Sequence, residues 1–231
     1  MQFQDVASLS EQIAQQISEQ IIHGELLEGE RIPELRIAQE LNVSRGSVRE
    51  ALLLLERTHL IQIYPRRGAM VSEMSLQQVH LLFDSSALVL GYMVQRLSEG
   101  YSPVHVPDLE QLRLQLQQYV QAGQSEFFYD AIFQYLQQQA QLIDNPYMTQ
   151  FYQQLLPSLR RSYFLTLNSA RRDLQVAFQL FQQVIDAILI RKTAQATLFM
   201  QDFCRHLRNL VLDSLTRMKQ IELAWARCAR Q

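Results

Sequence analysis

Strand-like patterning is confined to one short stretch of this 231-residue chain, Leu60 to Val71. Leu60-Ile-Gln-Ile-Tyr64 reads as a strand, Pro65-Arg66-Arg67-Gly68 as a turn, and Ala69-Met-Val71 as a returning strand. The remaining apolar residues recur at helical spacing. Hydrophobic residues are 48% and charged residues 19% of the chain, a balance that excludes a disordered tail or a coiled-coil rod. Seven glycines and six prolines are too few for an α/β enzyme with many glycine-rich phosphate loops. The expected fold class is mainly α.

Around that hairpin the first 74 residues have their own punctuation. Ser10 can cap a helix carrying Ile13, Ile17 and Ile21, which ends at Gly24. A loop from Glu25 to Pro33 leads to a second helix, Glu34–Leu41. Asn42-Val43-Ser44 is a turn, and Ser44 caps a third helix with Val48, Ala51, Leu52 and Leu55 on one side. Three helices and a hairpin make a winged helix-turn-helix, expected over residues 1–74. Ser75 and Gln78 then form a capping box that opens a helix to about Glu99. Helical stretches follow near 108–122, 126–143, 146–156, 158–168, 171–191 and 194–228, with starts marked at Asp108, Ser125, Asn145-Pro146, Pro157-Ser158, Ser169 and Thr193. Residues 75–231 are expected to form one all-α bundle of six or seven helices.

No run approaches 18 apolar residues, so no membrane helix is expected. Met1-Gln-Phe-Gln-Asp5 lacks the basic and apolar regions of a secretory signal. Cys204 and Cys228 form no metal or redox motif and read as ordinary thiols. The expected location is the cytoplasm.

Charge is unevenly spread. The chain carries a net −2, yet residues 31–70 hold seven arginines against four glutamates, a local balance of +3. A basic segment in an acidic chain is an electrostatic footprint for nucleic acid. Arg45 and Arg49 lie four apart on the third helix, where both can reach one stretch of major groove. Arginine donates in a bidentate way to guanine or to phosphate. Ser44 satisfies a free amide at the helix start, Gly46 leaves room for backbone approach, and Ser47 adds a small hydroxyl. Arg66 and Arg67, just before Gly68, stand where a wing enters the minor groove. The competing reading is a solvated basic surface.

These residues resemble the GntR family of bacterial transcription regulators. The resemblance rests on Ile22-His-Gly24-Glu-Leu, Gly29-Glu-Arg-Ile32, Ile37-Ala38-x-x-Leu41-Asn-Val-Ser-Arg45 and Val48-Arg49-Glu50-Ala51-Leu52. Leu55-Glu56, Leu60-Ile61 and Pro65-Arg-Arg-Gly68-Ala69-x-Val71 continue it, over about residues 9–74. It implies a homodimer on a short pseudopalindromic operator in double-stranded DNA, with Arg45, Gly46, Ser47 and Arg49 in the major groove. Two departures bear on the operator sequence. Leu35 stands where several relatives carry arginine, with Arg36 beside it, and Gly46-Ser47 replaces a common Thr-Pro or Thr-Thr.

The second half resembles, at scattered positions, the FadR subgroup with its all-helical FCD-type ligand domain. The echoes are Asp130-Ala-Ile-Phe133, Asp144-Asn145-Pro146, Asp186-Ala187-Ile188 and His206-Leu207. Many members of that subgroup hold a divalent metal with one Asp and three His, and the metal helps bind a carboxylate effector. Asp130 and His206 match two of these positions, but Gln134 and Phe181 stand at the others, and no histidine lies between 106 and 205. Neither an amide nor a phenyl replaces imidazole, so no metal or other cofactor is expected. The effector would be a fatty acyl group or other carboxylate, held by apolar contact and a few polar anchors. Aromatic and aliphatic residues such as Leu88, Phe127, Phe133 and Phe203 supply lining or core.

The function expected is a repressor, released from DNA by a small metabolite. One alternative is a ligandless regulator acting by abundance or through a protein partner. A small helical enzyme is the remote alternative, because the chain has no G-x-S-x-G elbow, P-loop or H-E-x-x-H.

Overall fold

The structure, a computed structural model, describes residues 8–166 and 171–228. Residues 1–5 and the helix start expected at Ser169 lie outside this range, and so does the side chain of Cys228. The chain divides into two compact units. One runs up to Met74 and takes in Gln154–Arg161; the other comprises Ser75–Gln153 and the chain from Ser162 onward.

The first unit contains α1 (Leu9–Ile22), β1 (Arg31–Ile32), α2 (Glu34–Glu40), α3 (Arg45–Arg57), β2 (Ile61–Tyr64) and β3 (Gly68–Val71). Helix α1 starts two residues earlier than a cap at Ser10 would give. Ser8 is the cap, accepting from the Glu11 amide while Glu11 reaches back to the Ser8 amide, and Ser10 instead donates to Glu50. The reciprocal Ser-x-x-Glu pair satisfies two amides at once, which a lone hydroxyl at Ser10 cannot match.

The sheet has three strands in the order β1-β3-β2, all antiparallel. The sequence pattern missed β1, a two-residue strand pairing Arg31 with Met70 and Ile32 with Ala69. So short a segment carries no alternation to detect; only Ile32 turns inward. Ile13, Ile17 and Ile21 of α1 pack with Val48, Ala51, Leu52 and Leu55 of α3, and with Leu60, Ala69 and Val71 of the hairpin. Glu56 ties α3 to β2 by accepting from the Ile63 amide at 2.8 Å.

Within this unit Gln154–Arg161 is also anchored by polar contacts. Ser158 Oγ donates to the Thr58 carbonyl at 2.7 Å, and Arg160 pairs with Glu19 at 2.6 Å. Arg161, buried, pairs with Glu28 at 3.0 Å; burial lowers its pKa and the Glu28 carboxylate opposes that. Glu28 Oε1 also accepts from the Met74 amide at 3.0 Å.

The second unit contains α4 (Leu76–Gly100), a 3-10 turn (Pro103–His105), α5 (Val106–Ala122), α6 (Ser125–Gln138), α7 (Ala140–Ile143), the ends of α8 (Pro146–Phe164), α9 (Arg171–Leu189) and α10 (Thr193–Cys228). The expected Ser75–Gln78 capping box opens α4. Helices α4 and α10 lie close because Gly91 has no side chain: a Cβ there would sit 3.3 Å from Thr197 Cγ2. Two expected boundaries shift. The stretch 126–143 is interrupted between Gln138 and Ala140, and no break occurs at Pro157, which lies inside α8. Proline removes one helical donor, but Leu155 and Leu159 on either side are buried and hold the helix through it.

Candidate nucleic-acid interface

The α2–turn–α3 segment is built by local chemistry. Asn42 takes a left-handed φ of 52°, which its short polar side chain tolerates, and turns the chain out of α2. Ser44 then caps α3, accepting from the Ser47 amide at 3.0 Å, and its hydroxyl lies 2.9 Å from that of Ser47. Both hydroxyls are therefore engaged in holding the helix start. Arg45 and Gly46 are exposed immediately behind the cap. A Cβ on Gly46 would meet only Ser44 Oγ, at 3.5 Å, so the glycine keeps the surface low without being required by space.

The two arginines of α3 differ in state. Arg45 makes no ion pair among the described residues, whereas Arg49 donates through Nε to Glu34 Oε2 at 2.8 Å. Arg36, on α2, pairs with Glu40 one turn later at 3.3 Å. The hairpin tip is a turn closed by the Arg67 amide on the Tyr64 carbonyl at 3.2 Å. Pro65 occupies its second position, and Arg66 its third with φ +65°, the left-handed conformation that a type II turn assigns to glycine. Arg66 and Arg67 are exposed, and neither is ion-paired among the described residues.

Sequence reasoning passed over two residues here as site residues, Arg31 and Glu34. They line one cleft with Leu35, Arg45 and Gly68. Arg31 arrives there through β1, the strand that left no sequence signal. Leu35 is 46% exposed, an apolar side chain on a charged surface. Glu34, first residue of α2, had a visible signal in its opposite charge to the nearby arginines, but the fifteen-residue separation hides the pairing.

In the helical unit the four positions read as effector-binding have different fates. Tyr163 donates to Asp130 Oδ1. Gln134 is exposed, facing a groove between α5 and α6 with Tyr135 and Gln138. Phe181 is buried against Phe203, with ring centres 5.3 Å apart. His206 Nε2 bonds to the Asp173 carbonyl at 3.2 Å. A carboxylate, an amide, a phenyl ring and an imidazole turned to a backbone carbonyl do not make a donor set for a divalent metal. Among the described residues no three His, Cys, Asp or Glu side chains gather as such a set. The neighbouring interior is aromatic: Tyr163 packs on Tyr129 and Phe133, and Tyr152 donates to the Phe133 carbonyl at 2.8 Å. Burial raises the pKa of Tyr129 and Tyr152. Of the apolar residues expected as lining or core, Leu88 and Phe127 are instead exposed, at 70% and 55%.

The first unit is thus a winged helix-turn-helix, with a capped helix start and an arginine-bearing wing on its surface. Residues 9–71 match the model of bacterial regulatory proteins of the gntR family, and residues 82–208 match the FCD domain. The chain belongs to the GntR family of regulatory proteins, with an FCD domain in its second part. That family is one of transcription regulators, not enzymes.

Among named relatives, the HTH-type transcriptional repressor RspR of Escherichia coli (strain K12) is 37% identical over 71 residues, 31% of each chain. The chain therefore matches about a third of that relative's length. The gluconate operon transcriptional repressor of Bacillus licheniformis is 24% identical over 182 residues, 78% of this chain and 72% of the relative. The fold is shared with the structure of E. coli McbR/YncC, with a TM-score of 0.77 at 18% identity, covering 91% of this chain and 100% of that one. A putative GntR regulator from Rhodococcus sp. RHA1 aligns with a TM-score of 0.70 at 18% identity, over 90% of this chain and 99% of its own. Among the described residues no helix is long and apolar enough to cross a membrane.

Proposed function

We propose that this protein is a cytoplasmic, DNA-binding transcriptional repressor that grips a pseudopalindromic operator as a homodimer and lets go when a small metabolite binds. Residues 1–74 are the reading head and residues 75–231 the effector and dimer domain. Arg45, Gly46, Ser47 and Arg49 address the major groove from the helix start that Ser44 caps. Arg36 steadies the approach, and Arg66, Arg67 and Gly68 carry the wing. The observation that carries this reading is Arg66: a non-glycine residue in the left-handed region costs conformational energy, and its exposed guanidinium has no partner within the described residues. Two relatives named as repressors support the sign of regulation.

The dimer is placed on the outer face of α4, where Leu81 and Leu88, seven residues apart, are 59% and 70% exposed. The effector is placed in the helical body as a fatty acyl or other carboxylate metabolite, with Asp130 and His206 as polar anchors, Phe181 as apolar wall and Gln134 on the neighbouring groove. A second reading, a regulator without ligand, draws on the engagement of Asp130 by Tyr163 and of His206 by the Asp173 carbonyl. The test is affinity selection of fragmented source genome by the purified protein at stated salt. Recovery of a few fragments sharing an inverted repeat is expected, and fatty acids or other carboxylates should then release them. Selection without any responsive ligand favours the second reading; no enrichment refutes both.

A further inference from the structure

Resting on the reading of α3 as the recognition helix, we infer that Glu34 is a positioning residue that sets base specificity by holding Arg49. A guanidinium has two donor edges, one of Nε with an Nη and one of the two Nη atoms together. Glu34 Oε2 takes the Nε–H at 2.8 Å. The edge formed by the two Nη atoms then carries no partner among the described residues, on a side chain that is 69% exposed. That remaining edge can donate two parallel hydrogen bonds to O6 and N7 of a single guanine.

Glu34 is well placed for the task. As first residue of α2 its carboxylate meets the positive end of that helix, and its side chain is only 32% exposed, so it is less free to swing than the arginine it holds. Arg45, one turn earlier, has no such partner. The same face of α3 therefore presents one pre-oriented arginine and one free arginine. The carboxylate also has a cost in DNA binding, since a negative charge beside the phosphate rail weakens attraction to any sequence. Glu34 thus trades general affinity for discrimination.

The experiment is selection from a randomised duplex library, with base preferences and salt slopes measured for wild type, Glu34→Ala, Glu34→Gln, Arg49→Ala and Arg45→Ala. The position where Arg49→Ala loses preference identifies the base read by Arg49. Glu34→Ala is expected to lose about tenfold of discrimination at that position and to keep the preferences that depend on Arg45. It should bind non-specific duplex several-fold tighter, with a salt slope steeper by about one per head. Glu34→Gln, whose amide oxygen still accepts from Nε, should retain part of the preference. In an Arg49→Ala background, Glu34→Ala should change no preference further. A merely structural role would lower all positions together and reduce the melting temperature of the head. If both Glu34 variants select with wild-type preferences, or lose them uniformly, the inference is overturned. If the wild type enriches no sequence, or Arg45→Ala and Arg49→Ala both select as it does, the recognition-helix reading falls and this inference falls with it.

Discussion

Replacing Arg66 by glycine should make the protein more stable and a weaker DNA binder at once. Arg66 stands at φ +65° in the hairpin turn, a conformation costing a non-glycine L-residue about 1–2 kcal/mol. Glycine adopts it freely, but the added freedom of the unfolded chain gives back about 0.4–1 kcal/mol. The net gain is centred on about 0.8 kcal/mol, or about 2–3 °C in melting temperature for a chain of this size. No contact is sacrificed in the folded protein, because Arg66 is exposed and unpaired among the described residues. On DNA the accounting reverses. A dimer would lose two guanidiniums, and at about 0.9 counterions released per phosphate contact the salt slope should be shallower by about 1.8. Between 50 and 200 mM salt the wild type should therefore lose about twelvefold more affinity than the variant. Calorimetry and fluorescence anisotropy at four salt concentrations read both quantities. A lower melting temperature would refute the strain argument, and an unchanged salt slope would remove the wing from the interface.

Further perturbations address the cap, the dimer and the core. Ser44→Ala removes the acceptor of the Ser47 amide and should cost about 1 kcal/mol in urea denaturation; a change near zero would mean the α3 start is held from elsewhere. Leu88→Glu places a charge on the exposed α4 face and should yield a monomer by analytical ultracentrifugation that still melts cooperatively, at a lower temperature because association no longer stabilises the fold. A persisting dimer would move the interface off α4. Cys204 is buried and its thiol is pushed up to about 12 from 9.0 by desolvation. In a Cys228→Ser background, an aromatic disulfide reagent at pH 8 should leave the native protein unmodified and react fully in denaturant. Because the folded pKa is the higher one, the thiol's contribution to stability is constant below pH 9 and declines as pH rises toward 12. Rapid native labelling would show the Cys204 site open to solvent.

Local patterns carried much of the architecture. The Ser75–Gln78 capping box, the Ser44 cap and the turn at Pro65 are each written in a few consecutive residues, and their geometry follows from short-range chemistry. What escaped was chemistry settled by distant neighbours. Strand β1 exists because β3 offers it hydrogen bonds, not because Arg31-Ile32 prefers to extend. Helix α8 continues through Pro157 because Leu155 and Leu159 are buried on either side, although proline alone reads as a stop. On the proposed DNA-binding face, Arg45 and Arg49 could be named from spacing, but the Glu34 carboxylate that separates their behaviour comes from another helix. In the body, family spacing located Asp130 and His206, yet their partners, Tyr163 and the Asp173 carbonyl, have no local trace.

The Glu56 carboxylate that receives the Ile63 amide joins the helix of the head to its hairpin at one point, and the shared core joins them along the rest. The two parts that would touch the duplex are therefore the jaws of a fixed-gauge caliper. An operator can vary its letters and pay at each one separately, but it cannot vary its length between the helix contact and the wing contact. One base pair inserted there should abolish recognition of a half-site whose every letter is still correct.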